Sequence, residues 1–241
     1  MTLITDSRTQ PRKSLLLVSS EYEAVLTPVW FCPDFWAGDA QPVSTGGRGS
    51  AWFISEEKGS LVLRHYRRGG LMARLAEKTY LFTGFDQARS ISEFRLLESL
   101  LSAGLPVPEP VAAIAWKTRV FWYQAAILIK RIPDAVTFAD SLMLGEEQLW
   151  RKLGRVIREF HDFGLDHVDL NCDNILVTRD QIYLIDFDRC RLRSSSVSGG
   201  EPWKSRNLLR LRRSMRKRIC FSEPMLEQFW EVLVDAYQSG S

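Results

Sequence analysis

One short segment in the second half of the chain constrains the fold and the chemistry more than any other. His167, Asp169 and Asn174 stand in the order H-x-D-L-x-x-x-N, and Asp186 follows within I-D-F-D. Two apolar runs separated by a polar turn lie between Asn174 and Asp186, and they predict a β-hairpin. These runs are Ile175–Thr178 and Gln181–Ile185. The hairpin would return Asp186 to the side of Asn174.

Such an arrangement is typical of phosphoryl transfer. Magnesium prefers oxygen ligands and keeps several waters, so Asn174 and Asp186 with phosphate oxygens would hold it. Asp169 would meet the hydroxyl group of an acceptor. In the structural alternative, Asp169 and Asn174 only cap turns and Asp186 only begins a loop. The order of all three residues around one hairpin favours the metal site.

A zinc site is the competing interpretation of the same region. His161, His167 and Cys172 lie close in sequence, but their spacing fits no familiar zinc framework and the chain has no C-x-x-C pair. We therefore expect His161 to pack at a helix end and His167 to hold the loop through hydrogen bonds.

The composition is that of an ordinary globular chain, with 45% hydrophobic and 25% charged residues among 241. The cysteines show no pairing pattern and no signal peptide precedes them, which favours a reduced, cytosolic protein. The longest nearly apolar stretch, Val120–Ile129, is too short to cross a bilayer. Any attachment to a membrane is therefore expected to be peripheral.

A basic segment dominates the charge distribution. Trp203–Arg218 contains eight Lys and Arg residues and no acidic residue, with leucines between them. It predicts a basic, partly amphipathic helix that suits an anionic membrane surface, an acidic glycolipid or a nucleic acid. Nucleic acid is not expected, because no nucleic-acid module accompanies the segment. The alternative is a helix with packed leucines and solvated cations.

The remaining pattern predicts an α+β protein with two lobes, residues 1–130 and 131–241. The first forty residues predict little beyond an aromatic-rich segment. The expected strands are Ala51–Ile54, Leu61–Tyr66, Val111–Trp116 and Val120–Ile129, and the expected helices are Asp86–Ser102, Glu146–Phe163, Trp203–Arg218 and Pro224–Tyr237.

A glycine-rich turn before the first of these strands is the candidate cover for a nucleotide. Its residues are Gly46, Gly47, Gly49 and Ser50. Glycines let backbone amides approach phosphate closely, although a plain hairpin turn would have the same composition. The position of the turn ahead of the H-x-D segment favours the nucleotide.

With glycine turn, strands, helices, H-x-D and I-D-F-D in this order, the chain resembles the protein-kinase-like superfamily. More closely, it resembles the lipopolysaccharide core kinases that act on 3-deoxy-D-manno-octulosonic acid (Kdo). The segments that carry this closer resemblance are Leu61–Leu71, Tyr80–Leu97, Gly104–Pro110, His167–Leu176 and Trp203–Ser214. The resemblance implies a two-lobed protein-kinase-like fold: an N-terminal lobe of antiparallel sheet with one main helix, and a reduced, mostly helical C-terminal lobe.

The same resemblance implies a function. It implies ATP- and Mg2+-dependent phosphorylation of a Kdo hydroxyl on a lipid A precursor, at the cytoplasmic face of the bacterial inner membrane. The protein would be peripheral there, would meet the anionic surface through Trp203–Arg218, and would need no obligate protein partner. Kdo carries a carboxylate, so a cation should line the acceptor site. The candidates are Arg67, Arg68, Arg189, Arg191, Arg193 and Lys204. For most of them an ordinary surface position is the favoured alternative.

The chain departs from the superfamily pattern at two positions. The strand after the glycine turn normally supplies a lysine to the nucleotide phosphates. Arg64 stands at this place, and Glu93 on the following helix is its candidate partner. Arginine can bind phosphate through two N–H groups, so the role is possible. An exposed strand residue is the alternative for Arg64, and Trp52 stands where a third glycine is common.

Two rival functions stay open. A small atypical protein kinase, or an antibiotic or choline kinase, would apply the same chemistry to another acceptor. The segment after Asp188 is short and has no A-P-E element, which disfavours a peptide acceptor. A nucleotide-binding pseudokinase acting as a membrane scaffold is the second rival. Retention of Asp169, Asn174 and Asp186 argues against it.

Overall fold

The apolar runs of the first half pair into one antiparallel sheet. The computed structural model describes residues 3–4, 12–43, 51–56, 59–66, 80–119, 121–193 and 202–239. The strands of the sheet are β1 (Leu3–Ile4), β2 (Arg12–Val18), β3 (Ala40–Pro42), β4 (Ala51–Glu56), β5 (Gly59–His65), β6 (Tyr80–Leu81), β7 (Pro110–Arg119) and β8 (Trp122–Lys130). They lie in the order β1-β2-β7-β8-β5-β4-β3, with β6 paired to β8. Every pairing is antiparallel, as predicted.

The helix predicted over Asp86–Ser102 is present as α1, Arg89–Ser102. Its predicted start was too early, because a turn precedes it: the N–H of Ala88 donates to the carbonyl oxygen of Phe85 (2.9 Å). Four apolar residues at helical spacing are buried. They are Ile91, Phe94, Leu97 and Leu100, whereas Leu101 is 41% exposed.

The aromatic segment before residue 40 belongs to the core of the sheet. Trp30 and Phe31, in the short 3-10 helix Pro28–Phe31, are buried in one cluster with Leu61 and Leu63 of β5. Leu61 and Leu63 face this core because alternate residues of a strand point to the same side. The N-terminal segment thus supports the strand that carries the candidate phosphate ligand.

Three long helices build the described part of the second half. They are α2 (Glu147–Asp162), α3 (Pro202–Arg218) and α4 (Glu223–Gln238), each within one residue of its predicted ends. Helices α2 and α4 approach closely at Gly154, where a Cβ would lie 2.3 Å from the carbonyl oxygen of Leu233. One turn away Trp150 stacks on Phe229, with 5.3 Å between ring centroids. These contacts pack the first half of α2 against α4.

Short strands frame the functional segment. They are β9 (Val136–Thr137), β10 (Leu165–Asp166), β11 (Ile175–Val177), β12 (Ile182–Leu184) and β13 (Arg191–Leu192). Strands β11 and β12 form the predicted hairpin, with Ile175 opposite Leu184. Strand β9 pairs with β11, and β10 pairs with β13.

The chain divides into two compact units. The first comprises Met1–Ser99 with Pro108–Ile132, and the second Leu100–Val107 with Pro133–Ser241. The antiparallel sheet belongs to the first unit, and the H-x-D and I-D-F-D segment to the second. Within the described ranges, no helix is both long and apolar enough to cross a membrane.

Candidate active site

The H-x-D segment leaves helix α2 through a glycine that the backbone requires. Gly164 has a φ of +93°, in the left-handed region, and a Cβ there would lie 2.5 Å from the carbonyl oxygen of Arg193. The N–H of Arg193 donates to the carbonyl oxygen of Gly164 (2.8 Å). Strand β10 follows at once and pairs with β13. The segment therefore starts from a fixed point.

Asp169 lies exposed in the turn that follows β10. Its backbone carbonyl oxygen accepts hydrogen bonds from the side-chain amides of Asn171 (2.9 Å) and Asn174 (3.0 Å), which hold the turn. Its carboxylate forms no hydrogen bond or ion pair with any residue that the structure describes. The carboxylate is available to accept a hydrogen bond from a bound hydroxyl group.

The β11–β12 hairpin brings the chain back to Asn174 just before Asp186. Asn171 caps the short 3-10 helix Cys172–Asn174, because its side-chain oxygen accepts from the N–H of Asn174 (3.1 Å). The N–H of Ile185 donates to the carbonyl oxygen of Asn174 (3.0 Å). Asp186 follows with a φ of +62°, a conformation in which Asp and Asn are enriched.

His167 ties the two ends of this site together. It is buried, and its Nε2 lies 3.0 Å from the carbonyl oxygen of Ile185. A carbonyl oxygen can only accept, so Nε2 carries the proton. Burial lowers the pKa of His167, which keeps the imidazole neutral. The prediction that His167 holds the loop through hydrogen bonds is confirmed.

The candidate zinc ligands have other environments. His161 is buried at the end of α2, as predicted, with Nδ1 2.8 Å from the hydroxyl oxygen of Tyr237. Cys172 is buried, and burial raises the pKa of its thiol, whereas zinc binds the thiolate. In the described part of the chain, no group of three or more His, Cys, Asp and Glu side chains could hold a metal ion.

Magnesium prefers oxygen ligands, unlike zinc, and the side chains of Asn174 and Asp186 can supply them. One carboxylate and one amide oxygen suffice when phosphate and water supply the remaining ligands. The side-chain nitrogen of Asn174 donates to the carbonyl oxygen of Asp169, so its amide oxygen is the atom left for a cation. Both side chains are half-buried, within reach of solvent.

In the first unit a buried carboxylate is held by strand β5. Glu93 of α1, whose side chain is 3% exposed, forms an ion pair with Arg64 through Oε1. Its Oε2 accepts a hydrogen bond from the hydroxyl of Tyr66. Burial, and then the charge of Glu93, raise the pKa of Tyr66 well above its usual value, so the hydroxyl keeps the proton it donates. The Arg64 side chain is only 21% exposed, unlike the exposed strand residue of the alternative.

Several predicted residues lie outside the described ranges. They are Gly46, Gly47, Gly49 and Ser50 of the glycine turn and the acceptor candidates Arg67 and Arg68. Of the other acceptor candidates, Arg193 forms an ion pair with Asp166 (2.7 Å). Lys204 lies 3.7 Å from a carboxylate oxygen of Asp162. The last two, Arg189 and Arg191, are exposed.

Three supporting residues were not predicted from the sequence: Tyr66, Asp166 and Asn207. Asn207 had a signal, because it lies four residues from both Trp203 and Leu211, in the buried stripe of α3. An amide within an apolar stripe indicates an obligatory hydrogen bond. Tyr66 and Asp166, at strand ends, carry no periodic signal.

Comparison of the sequence with known proteins assigns most of the chain to one family. Residues 33–237 match the profile of the lipopolysaccharide kinase (Kdo/WaaP) family. The chain is 47% identical over 189 residues to the 3-deoxy-D-manno-octulosonic acid kinase of Xylella fastidiosa (strain M12), covering 78% of this chain and 74% of the relative. It is 40% identical over 192 residues to the protein of the same name from Vibrio cholerae serotype O1, covering 78% and 79%.

Solved structures share the fold at low sequence identity. A structure described as WaaP in complex with acyl carrier protein gives a TM-score of 0.59 at 14% identity, covering 94% of this chain and 90% of that one. A glucosamine kinase gives a TM-score of 0.52 at 10% identity, covering 94% and 68%. The predicted protein-kinase-like α+β fold is confirmed. With the family profile and these relatives together, the chain belongs to the lipopolysaccharide kinase (Kdo/WaaP) family.

Proposed function

We propose that this protein transfers the γ-phosphoryl group of ATP to a hydroxyl group of Kdo on a lipid A precursor, in lipopolysaccharide inner-core biosynthesis. The observation that carries the proposal is the exposed carboxylate of Asp169 in a turn that is hydrogen-bonded to Asn174. Two relatives named 3-deoxy-D-manno-octulosonic acid kinase support the choice of sugar.

Asp169 is the proposed proton acceptor. It accepts a hydrogen bond from the sugar hydroxyl and aligns the oxygen with the γ-phosphorus. The bond from this oxygen to phosphorus forms while the bond from phosphorus to the bridging oxygen of ADP breaks, and Asp169 takes the hydroxyl proton late. Asn174 and Asp186 are the proposed ligands of Mg2+, which when bound neutralises charge developing between the β- and γ-phosphates.

Arg64 is the proposed cation for the nucleotide phosphates, in place of the usual lysine. Glu93 holds the guanidinium while Tyr66 holds the second oxygen of Glu93, so the arginine is fixed before any nucleotide binds. A guanidinium is permanently charged and can offer two parallel N–H groups to phosphate. The glycine turn, Gly46, Gly47, Gly49 and Ser50, is proposed to cover the phosphates with backbone N–H groups.

Helix α3 is the proposed contact with the anionic membrane surface, because its cations fall into two sets. One set forms ion pairs with acidic residues: Lys204, Arg212, Arg216 and Arg218. The other set is exposed and forms no ion pair with the residues described: Arg206, Arg210, Arg213 and Lys217. This second set is called the basic stripe below.

The basic stripe follows the period of the helix. Its members are separated by four, three and four residues, so they lie along one face. Leu209, 53% exposed, lies beside them and could enter the headgroup region. Each cation near anionic lipid contributes about 1 kcal/mol, so the stripe would concentrate the protein at such a surface. We propose that the protein is peripheral at the cytoplasmic face of the inner membrane.

Sedimentation with lipid vesicles tests the stripe. The variant R206Q/R210Q/R213Q/K217Q is expected to lose binding to phosphatidylglycerol vesicles that the unmodified protein binds, while neither binds phosphatidylcholine vesicles. The control K13Q/R131Q/R155Q/R179Q removes the same charge from other described positions and should still bind. Equal binding by both variants would refute the stripe.

An acceptor panel tests the proposed reaction. The protein is incubated with radiolabelled ATP, Mg2+ and one of three acceptors: a Kdo-bearing lipid A precursor, casein or an aminoglycoside. Label should appear in the Kdo lipid alone, as seen by thin-layer chromatography. Label in casein or the aminoglycoside would favour the rival kinases, and no transfer at all would favour the pseudokinase scaffold.

A further inference from the structure

Helix α3 binds the segment before Asp169 through a buried amide. Asp166 is 5% exposed and precedes His167, and Asn207 of α3 is 3% exposed. Asn207 donates from Nδ2 to Oδ1 of Asp166 (3.0 Å) and accepts through Oδ1 from the backbone N–H of His167 (3.0 Å). One side chain therefore holds both a carboxylate and the backbone of the segment.

The second oxygen of Asp166 is bound by Arg193. Its Oδ2 accepts from Nε (3.0 Å) and from a terminal nitrogen (2.7 Å) of the guanidinium. Both oxygens of this buried carboxylate thus have donors, which is the condition for keeping it charged inside a protein. Because Arg193 also binds the backbone of Gly164, the pair is anchored to the start of the segment.

The partners determine which atom of Asn207 is the oxygen. A backbone N–H only donates and an ionised carboxylate only accepts, so the amide oxygen must face His167 and the amide nitrogen must face Asp166. A carboxylate at position 207 would set an acceptor against Asp166. A hydrophobic side chain there would leave both groups buried without a partner, which is costly.

Helix α3 also binds the segment after Asp169. Ser214, seven residues beyond Asn207 on the same side of α3, accepts from the backbone N–H of Cys172 (3.0 Å) through Oγ. The turn between these contacts is closed, since the N–H of Leu170 donates to the carbonyl oxygen of His167 (3.2 Å). Asp169 therefore lies between two points that α3 holds.

We propose that Asn207 is a positioning residue for phosphoryl transfer, which sets the place of Asp169 by holding Asp166 and the backbone of His167 together. The inference rests on the proposed function, because it takes Asp169 as the group that meets the hydroxyl. Asn207 itself acts through the segment and touches neither substrate. Its loss should change the rate of transfer and leave the affinity for ATP unchanged.

An exchange of donor and acceptor tests this role. N207D and D166N each place two like groups against each other, and each is expected to lower kcat about 10- to 100-fold, since displacement of a catalytic group by about 1 Å has such an effect. The double variant D166N/N207D restores one donor facing one acceptor, and it keeps an oxygen for Arg193 and one for the N–H of His167. Its kcat should return to within about threefold of the unmodified protein.

The readouts are kcat, the KM for ATP and the melting temperature, measured for every variant. E231Q, a matched change at an exposed position of α4, should alter none of them. A double variant no faster than either single variant, or single variants with full kcat, would overturn the proposal. If a single variant does not fold, the double variant D166N/N207D still decides: a kcat within about threefold of the unmodified protein is expected, and a loss of about 10-fold or more would overturn the proposal.

The same experiment separates this inference from the proposed function. D169A is assayed in parallel with the exchange variants. No transfer to the Kdo-bearing lipid by the unmodified protein would mean that the proposed function fails, and full transfer by D169A would mean that only the role proposed for Asp169 fails. No transfer by D169A together with full transfer by N207D would mean that only the positioning role fails.

Discussion

Glu93 in the first unit and Asp169 in the second show two opposite uses of a carboxylate. Glu93 is 3% exposed and binds Arg64 with one oxygen and Tyr66 with the other. Asp169 is exposed, and its carboxylate binds none of the residues described. A buried carboxylate stays charged only when it is paired with donors or cations. A carboxylate at the surface is solvated by water, so the protein folds without a partner for it. The fold pairs both oxygens of the Glu93 carboxylate and leaves the Asp169 carboxylate, the group proposed to react, exposed.

The same contrast recurs within three residues of the second unit. Asp166 is buried, and each of its oxygens has a donor, while Asp169 faces solvent. Substitution of the buried carboxylates should therefore affect both stability and transfer. Substitution of the exposed ones should affect transfer alone.

Apart from substitution of Asp169 itself, the largest effect is expected for Asp186→Asn, at a half-buried carboxylate. Asparagine tolerates the positive φ of this position but lacks the charge that is proposed to hold Mg2+. Transfer should fall about 100-fold or more, with a higher Mg2+ concentration needed for half-maximal rate. Asp180→Asn, exposed in the β11–β12 turn, is the control and should transfer normally. A normal Mg2+ dependence in Asp186→Asn would show that Asp186 is not a ligand of Mg2+.

The substitution Glu93→Gln tests the role of the buried, paired carboxylate. It removes the carboxylate charge that pairs with Arg64, so the free energy of unfolding should fall by about 3 kcal/mol, and transfer should fall as well. Chemical denaturation measures the first quantity and the phosphate assay the second. Glu98→Gln, exposed on the same helix, should change neither. A Glu93→Gln protein as stable as the unmodified protein would show that the buried carboxylate of Glu93 does not stabilise the fold.

His161 is a buried base, and its burial makes the stability of the fold depend on pH. Burial lowers its pKa to about 4 from a usual value near 6.5. Between these pH values the unfolded chain binds a proton at His161 that the folded chain does not bind. The contribution of His161 to the free energy of unfolding is therefore fully present above pH 6.5 and declines as the pH falls toward 4. The contribution is up to about 3 kcal/mol.

The test of this contribution is the unfolding free energy at several pH values for His161→Gln. This variant should show a weaker decline in acid than the unmodified protein. His167, whose pKa burial also lowers, stays in both proteins and gives the remaining slope. Identical slopes would show that His161 does not contribute.

The smallest effect is expected for Tyr66→Phe. The change removes the donor from Oε2 of Glu93 and leaves Arg64 in place, so stability should fall by about 1 kcal/mol and transfer only a few-fold. Tyr183→Phe, a half-buried tyrosine of β12, serves as the control. A loss as large as that of Glu93→Gln would mean that Tyr66, and not Arg64, is the main partner of Glu93.

Local signals in the sequence predicted much of this structure. Helix α2 was predicted as Glu146–Phe163 and is Glu147–Asp162, because its apolar residues repeat with the helical period. The β11–β12 hairpin followed from two apolar runs around a polar turn. The fold class followed from the order of such elements and from the resemblance to a known family.

Non-local partners were harder to predict. Strand β2, with the sequence RKSLLLV, was missed because its run lacks alternation and its partner β7 is far along the chain. The contacts of Tyr66 and Asp166 depend on which strand end meets which helix, and no spacing records that. Asn207 could have been found, as the one amide in the buried stripe of α3.

Asp169→Asn, with transfer and stability measured on the same protein sample, tests the central claim most directly. The assay follows phosphate from ATP to the Kdo-bearing lipid, and denaturation gives the free energy of unfolding. We expect transfer to fall by about 100- to 10,000-fold, as for loss of a general base, while stability changes by less than about 0.5 kcal/mol. Transfer within a few-fold of the unmodified protein would contradict the claim.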